Sequence, residues 1–392
     1  MGTQHRDFFY GEQNDVDVST KNNSHYLMNS FVADINTSLT NKVSLNYGGE
    51  FTYSRYKQSF GFDENNIQTD MMRAENKNEQ VLGAGFVNLN ASIGKFAVNA
   101  GLRYEYASWK YFVGNMKQNS QSRDYHDLFP TFNLSYHPTN VTSVSVGYRQ
   151  TIRRPNYGEL NDNVEYQSRY YYVQGNSTLD YAYTNSINVL ASYKNLRFIG
   201  SCDFVHGDIA MRRSLLGSSN DIVLSRATNV SNYMRWSTGL NWWQHFGIYT
   251  PYLELGMGGQ TFSYTYKDTP YHFNNPYVNF KVHNTFELKN HLSIMLFVDY
   301  YGKSASLFRE VTEQWSTQLS LSKNIKSWFI QLSVNNALCP RARTSTTLCD
   351  WINDASYSNR DNRSVFLLVS YAFNSKQKRH FANTKSNEVR RF

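Results

Sequence analysis

The sequence predicts an all-β protein whose antiparallel strands form a transmembrane barrel, and three observations support this fold class. Apolar and polar side chains alternate along most of the 392 residues, and a period of two indicates strands rather than helices. Short turns and long polar loops follow one another in alternation. The chain is 16% aromatic, and only 7 Pro and 18% charged residues interrupt or solvate the strands. Such a composition suits strands or a membrane interface.

The predicted strands fill residues 26–374 as segments of roughly 10 to 16 residues. In one of them the even-numbered positions 96 to 106 are apolar, whereas Asn99, Arg103 and Glu105 occupy the other face. We therefore expect the even positions to face lipid and the odd positions to face the lumen. We count about 15 such segments, or 16 if residues 8–18 contribute one. The predicted domains are an amino-terminal segment at 1–25 with at most a partial strand, the barrel at 26–374 and a basic periplasmic tail at 375–392.

The connections fall into two classes that alternate. Short turns are expected at Thr40-Asn41, Gly94-Lys95, 138–140, Lys194-Asn195, Lys289-Asn290 and Lys326-Ser327. Long polar loops are expected near 57–77, 113–125, 155–180, 210–227, 266–276, 302–312 and 339–362. Outer-membrane barrels place tight turns on the periplasmic side and long loops outside, whereas a soluble sandwich mixes loop lengths at both ends. The alternation therefore predicts the topology as well as the fold class.

Aromatic residues near the strand ends are interpreted as two girdles at the membrane interfaces. Trp109, Tyr111 and Phe112 lie at the loop end of one strand. Trp242, Trp243 and Trp328 lie beside short turns. Rings at both ends of the strands are typical of such barrels.

Composition and charge exclude several other classes of protein. The longest apolar runs fall far short of the roughly 18 residues that a spanning helix needs. The formal net charge is +8, but basic residues are scattered along the strands and cluster only in the tail, so no nucleic-acid partner is expected. The first seven residues hold no apolar segment of a secretory signal, and we expect a mature form or a fragment.

The residues also argue against a catalytic or metal-dependent protein. The 10 His show no HxH or HExxH spacing, so we expect neither a metal nor another cofactor. No GxSxG elbow or other nucleophile motif occurs, and we expect no enzyme activity. Cys339 and Cys349 fall in one predicted external loop on an oxidising side of the membrane, so we predict that they form a disulfide while Cys202 stays unpaired.

A candidate ligand site lies where one strand enters the loop at 155–180. Guanidinium groups grip carboxylates and aromatic rings stack on flat faces, so an Arg pair beside tyrosines suits an anionic or sugar-like ligand. The candidate ligand-binding residues are Arg153, Arg154, Tyr157, Tyr170, Tyr171 and Tyr172. The alternative is that Pro155 ends the strand and that the arginines pair with barrel carboxylates or lipid phosphates. Other charges, such as Arg149 and Asp299, are expected in the lumen.

Several segments resemble one bacterial family. Residues 128–136 read LFPTFNLSY, residues 144–148 read VSVGY, and residues 152–157 read IRRPNY before Leu160-Asn161. Gly175-Asn176 follows, with Leu179 and Asn185-Ser186, and residues 387–391 read NEVRR after the last strand. Together these segments resemble the outer-membrane β-barrel family related to TonB-dependent receptors that is common in Bacteroidota. Two positions depart from it, because Asp162 and Ser177 stand where the family often has Pro.

The resemblance implies the carboxy-terminal barrel of a receptor that captures a nutrient outside the cell and imports it. Such receptors carry a plug inside a barrel of 22 strands, and no plug is found in this sequence. Implied partners are outer-membrane lipid, the barrel-assembly machinery, a missing plug domain and the inner-membrane energy-coupling complex. We expect that this chain alone cannot perform energised uptake. The alternative is a plugless surface protein or passive pore with a structural or adhesive role.

Overall fold

A computed structural model of the chain describes residues 2–8, 18–64, 67–68, 74–168, 170–216, 222–266, 268–338, 342–349, 352–359 and 363–373. It describes side chains at 23–61, 75–168, 170–216, 222–265, 268–338 and 363–373. None of these residues forms a helix that is long and apolar enough to cross a membrane. Cys339, the side chain of Cys349 and the tail at 375–392 lie outside the described residues, so the disulfide and the basic tail stay predictions.

The described residues form strands joined by turns and one short 3₁₀ helix, Lys289–His291. The first fourteen strands are β1 (Gly2–Phe8), β2 (Val18–Thr40), β3 (Val43–Glu64), β4 (Ile67–Gln68), β5 (Ala74–Ile93), β6 (Phe96–Val113), β7 (Met116–Thr139), β8 (Thr142–Arg153), β9 (Val164–Ser168), β10 (Tyr171–Gln174), β11 (Ala182–Tyr193), β12 (Leu196–His206), β13 (Ile209–Leu215) and β14 (Val223–Asn229). The others are β15 (Tyr233–Trp243), β16 (Tyr249–Gln260), β17 (Phe262–Tyr266), β18 (Thr269–Phe273), β19 (Tyr277–Leu288), β20 (Leu292–Tyr301), β21 (Ser304–Ser306), β22 (Arg309–Val311), β23 (Gln314–Ile325), β24 (Trp328–Asn335), β25 (Ala342–Cys349), β26 (Ile352–Asn359) and β27 (Ser364–Tyr371).

The barrel wall is one antiparallel sheet in which each strand pairs with the wall strands that come before and after it in the chain. Its 17 strands include the two-residue β4, which pairs with β3. The remaining sixteen are β1, β2, β3, β5, β6, β7, β8, β11, β12, β15, β16, β19, β20, β23, β24 and β27. The count agrees with the upper prediction. The sixteenth strand is Gly2–Phe8, and residues 9–17 of the segment predicted at 8–18 lie outside the described residues. Among the described residues no pairing joins β27 to β1 or β2, and all of β27 is exposed.

The side chains of the wall alternate between a lipid-facing and an inner face, as predicted. On β6 the even positions Phe96, Leu102 and Tyr104 are 46%, 46% and 44% exposed, whereas Glu105 and Ala107 are 6% and 1% exposed. Outward side chains in a barrel contact lipid and therefore count as exposed when the protein is considered alone. The predicted orientation of positions 96 to 106 is confirmed.

The strands differ in length around the wall. The tall sector, which we define as β2, β3, β5, β6 and β7, has strands of 18 to 24 residues. The wall strands from β8 to β27 have 8 to 12 residues. At about 3.3 Å per residue, the tall sector extends far above the bilayer on the long-loop side.

The tall sector corrects two of the predicted loops. Residues 57–77 are mostly strand, because β3 runs to Glu64 and β5 begins at Ala74. Within residues 113–125 only Gly114-Asn115 form a turn, since Val113 pairs with Met116 and β7 begins at Met116. The sequence in both places is polar, and strands that rise above the membrane need no apolar face. Turns at Gly94-Lys95, Lys194-Asn195 and Lys326-Ser327 lie where they were predicted.

The other long loops fold into small sheets above the lumen. β9, β10, β13 and β14 form one sheet, β17 and β18 a second, and β21, β22, β25 and β26 a third. Two apolar cores include residues of the first two sheets. The first contains Trp109, Tyr157, Leu160, Leu179, Ile209 and Ala227. The second contains Val205, Tyr233, Phe262, Phe273 and Phe308.

Two of the aromatic rings predicted for the girdle at the loop end of the strands point towards the inner face of the wall and not towards lipid. Trp109 is 5% exposed and Tyr111 is 1% exposed, and both lie on the inner face of β6, at odd-numbered positions. They stand above the bilayer, where the inner face of the tall sector packs against loop residues instead of water. The girdle interpretation of Trp109 and Tyr111 is therefore wrong.

Candidate functional site

A cavity of about 910 Å³ lies between the inner face of the wall and the turn that follows β8. Its charged lining residues are Glu50, Arg103, Glu105, Arg149, Arg153, Arg154 and Glu159. A larger opening of about 1100 Å³ lies at the short-turn rim, where it is lined mainly by turns that carry Lys95 and Lys194. We place the candidate site in the former, because charges of both signs converge there on one space near the outer end of the lumen.

Four of these side chains form a continuous ion-paired network across the wall. The Nη2 atom of Arg103 donates to Glu50 Oε2 at 2.7 Å, and its Nε atom donates to Glu105 Oε1 at 2.5 Å. Arg154 donates to the other oxygen of Glu105. The side chains of Glu50, Glu105 and Arg154 are at most 8% exposed. Buried charges are tolerated only when they are paired, so the network fixes the turn against the wall.

Both arginines of the predicted ligand site reach the cavity, and both are paired with protein groups. Arg153 donates to Glu159 Oε1 at 2.7 Å and to the carbonyl of Ile209 at 2.8 Å. Arg154, besides its bond to Glu105, lies 5.3 Å from the ring of Tyr181. This geometry matches the alternative in which the arginines pair with barrel carboxylates. A ligand-binding role for them stays a prediction.

Tyr157 belongs to the core that holds the turn in place. Its side chain is 3% exposed, and its ring stacks on Tyr56 at 4.9 Å and on Trp109 at 5.7 Å. Its hydroxyl lies 2.7 Å from the hydroxyl of Ser54 on β3. These contacts join the turn to the tall sector.

The other three predicted tyrosines lie apart from the cavity. Tyr170 is 57% exposed, and Tyr171 and Tyr172 lie on β10 of the first loop sheet. The guanidinium of Arg213 lies 5.8 Å from the ring of Tyr171. None of the three lines the cavity, so the structure does not bring the six predicted residues together.

Arg149 is one of the cavity residues that the predicted ligand site omitted. It lies on the inner face of β8, where its register partners are Thr131 and Ser186. Its side chain is exposed, and within the described residues it has no carboxylate within ion-pair distance. The signal was available in the sequence, because Arg149 and Arg153 have the same parity on one strand.

The Gly175-Asn176 motif packs directly against the turn. A Cβ atom on Gly175 would lie 2.3 Å from the carbonyl oxygen of Asn161 and 2.6 Å from those of Glu159 and Gly158. The amide of Asn176 donates to the carbonyl of Glu159 at 2.5 Å. Only glycine allows two backbones to approach so closely.

The two departures from the family pattern, Asp162 and Ser177, contact each other. The amide of Ser177 donates to Asp162 Oδ1 at 2.9 Å, and its hydroxyl donates to Oδ2. Burial and the neighbouring Asp162 carboxylate raise the pKa of Tyr111, whose protonated hydroxyl lies 3.5 Å from Oδ2. The pair therefore ties the motif to the turn without proline.

The described residues hold no group of three or more His, Cys, Asp or Glu side chains arranged to bind a metal ion. Antiparallel wall strands, an apolar outer face and an ion-paired inner face define a transmembrane β-barrel protein of the outer membrane. The sequence model of the Outer membrane protein beta-barrel family matches residues 3–371. The chain belongs to this family, and the family and the structural neighbours are barrel proteins rather than enzymes.

Solved structures with the same fold include transporters and receptors. The copper transporter OprC is 13% identical with a TM-score of 0.64, and the match covers 91% of this chain and 60% of OprC. The FrpB iron transporter from Neisseria meningitidis is 12% identical with a TM-score of 0.56, covering 91% and 60%. The siderophore receptor PiuA from Acinetobacter baumannii is 11% identical with a TM-score of 0.56, covering 90% and 56%.

These identities show the fold alone. The chain spans 60% or less of the length of these three proteins. A search of curated proteins found no match to the sequence.

Proposed function

We propose that this barrel is the wall of an outer-membrane receptor that captures a polar, negatively charged nutrient beside Arg149 and takes part in its uptake. The observation that carries the proposal is an exposed guanidinium in a cavity whose other three arginines are paired with carboxylates or carbonyls. A ligand carboxylate or phosphate would complete the charge balance there.

The cavity size agrees with a small-molecule ligand, and the structural neighbours agree with a role in uptake. A volume of about 910 Å³ lies within the range of small-molecule sites. The neighbours named as copper and iron transporters and as a siderophore receptor support an uptake role rather than a purely structural one. The implied partners are outer-membrane lipid, the barrel-assembly machinery, a plug domain and the inner-membrane energy-coupling complex.

The test is calorimetric titration of the detergent-folded chain with di- and tricarboxylates and phosphorylated sugars. We expect saturable binding of at least one anion, weakened about tenfold to a hundredfold by Arg149→Ala, since a hydrogen bond to a charged group contributes about 1.5 to 3 kcal/mol. Arg197→Ala is the matched control, because Arg197 is an exposed inner-face arginine outside the cavity.

Three outcomes would contradict the proposal. Neutral sugars of similar size would bind as well as the anions, or both arginine variants would weaken binding equally. Alternatively, no anion would bind while the chain conducted ions in planar bilayers without saturation. The last result would favour the passive pore.

A further inference from the structure

The outward face of the tall sector carries a cluster of cations above its apolar band. The cluster, named here the outer basic patch, consists of Arg55, Lys57, Lys77, Lys110 and Lys117. Strand register places them in two adjacent rows. One row contains Lys57, Lys77, Phe112 and Lys117, and the other contains Arg55, Glu79 and Lys110.

The patch lies at the level where the outer leaflet changes from acyl chains to headgroups. The outward positions from Val43 to Tyr53 on β3 and from Ile93 to Val81 on β5 are apolar or glycine, and none of them is charged. A run of about twelve residues on a strand tilted by about 40° rises roughly 30 Å, the thickness of the hydrocarbon core. The cations begin two residues beyond it, on the long-loop side.

The patch is confined to one sector of the wall. On the described wall strands from β8 to β27, the outward faces carry a single lysine or arginine, Lys323, and it lies at the short-turn end. Three carboxylates, Glu75, Glu79 and Asp124, border the patch, and Glu79 pairs with Lys77 at 3.2 Å. Lys77 also lies 3.8 Å from the ring of Phe112. The remaining cations of the patch point outward at headgroup level.

We propose that the outer basic patch binds the phosphate groups of a phosphorylated glycolipid in the outer leaflet. Lysine binds phosphate as a point charge and arginine binds it through two parallel hydrogen bonds, so a row of both suits a headgroup that carries more than one phosphate. The apolar band beneath the patch accommodates the acyl chains of the same molecule. Clusters of basic residues beside a membrane-spanning segment recognise anionic headgroups in this way.

The test measures binding of lipid A, as a bisphosphorylated and as a dephosphorylated probe, to the full chain folded in a neutral detergent. We expect the bisphosphorylated probe to remain bound through purification, counted by native mass spectrometry, and to dissociate as salt rises. The variant R55Q/K57Q/K110Q/K117Q should lower its affinity roughly a thousandfold. The dephosphorylated probe should bind equally weakly to the unmodified protein and to this variant.

The matched control is K42Q/K194Q/K323Q/K326Q, which removes the same charge at the short-turn end and should leave binding unchanged. A difference in gel mobility between unheated and boiled samples shows that each variant is folded, because the paired backbone of a folded barrel resists SDS. If the patch variant does not fold, two other measurements test the proposal. One compares the affinities of the two probes for the unmodified protein, and the other measures the affinity of the bisphosphorylated probe for the single variants K57Q and K110Q. Equal binding of both probes, or equal loss in both quadruple variants, would overturn the proposal.

Discussion

Replacing Gly175 by Ala is expected to release the turn beside the cavity while leaving the barrel folded. The added Cβ atom would lie 2.3 Å, 2.6 Å and 2.6 Å from three backbone carbonyl oxygens of residues 158–161, whereas real Cβ contacts essentially never fall below 3.0 Å. Backbone cannot move aside as a side-chain tip does. Overpacking of this kind costs typically 1 to 3 kcal/mol, and we expect about 3 kcal/mol because all three contacts are backbone.

The assay is hydrogen exchange of the detergent-folded protein, read on peptides that cover 154–163 and 175–181. The amide of Asn176, which donates to Glu159, reports directly on the contact. A loss of about 3 kcal/mol in local opening free energy accelerates its exchange on the order of a hundredfold. Amides of the spanning strands should exchange as before.

Gly61→Ala is the matched control. Gly61 lies in the tall sector on β3, and a Cβ atom there has nothing within 4 Å. The reasoning is refuted if G175A exchanges like the unmodified protein, or if G61A accelerates the same peptides as strongly.

The remaining predictions concern the same turn, the wall and the loops. A double-mutant cycle of Asp162→Ala and Ser177→Ala, read as opening free energy by hydrogen exchange, should give a coupling of about 1 to 2 kcal/mol; additive effects would contradict it. Arg103→Met should destabilise the barrel by about 3 to 5 kcal/mol, seen as a lower unfolding temperature on semi-native gels, because it leaves buried carboxylates behind; an unchanged temperature would count against the network. Cys339 and Cys349 should not react with thiol reagents in non-reduced protein, because we expect them to form a disulfide that stabilises the fold by very roughly 3 kcal/mol. Labelling of both residues would refute the disulfide.

The wall could be predicted from the sequence because lipid imposes a strict rule on it. A spanning strand must have apolar side chains at every second position. The apolar residues Phe96, Leu102 and Tyr104 therefore predict both the strand and its orientation. Turns such as Gly94-Lys95 interrupt that rule visibly.

The tall sector could not be predicted, because the rule stops at the membrane surface. Above it, strands such as residues 116–125 carry polar side chains on the outward face and look like loop. Trp109 and Tyr111 keep the parity of the inner face, but nothing in the sequence shows that loop residues will cover them.

The candidate site was found in part. Arg153 and Arg154 mark the turn, yet their partners Glu159 and Glu105 depend on how the turn folds back over the wall. Tyr171 was grouped with them because it is close in sequence, whereas β10 carries it into a separate sheet. Residue type located the region, and only the fold assigned the roles.

The hairpin at the top of the tall sector has a practical consequence for labelling. β6 and β7 run into a two-residue turn at Gly114-Asn115 and stay paired up to Val113 and Met116, roughly 20 Å above the last outward aromatic of the bilayer. Because this hairpin continues the wall, with one register shift between Trp109 and Tyr111, an antibody or fluorophore attached at Asn115 would move with the barrel. It would therefore serve as a fixed reference against which motion of the neighbouring loop sheets is measured.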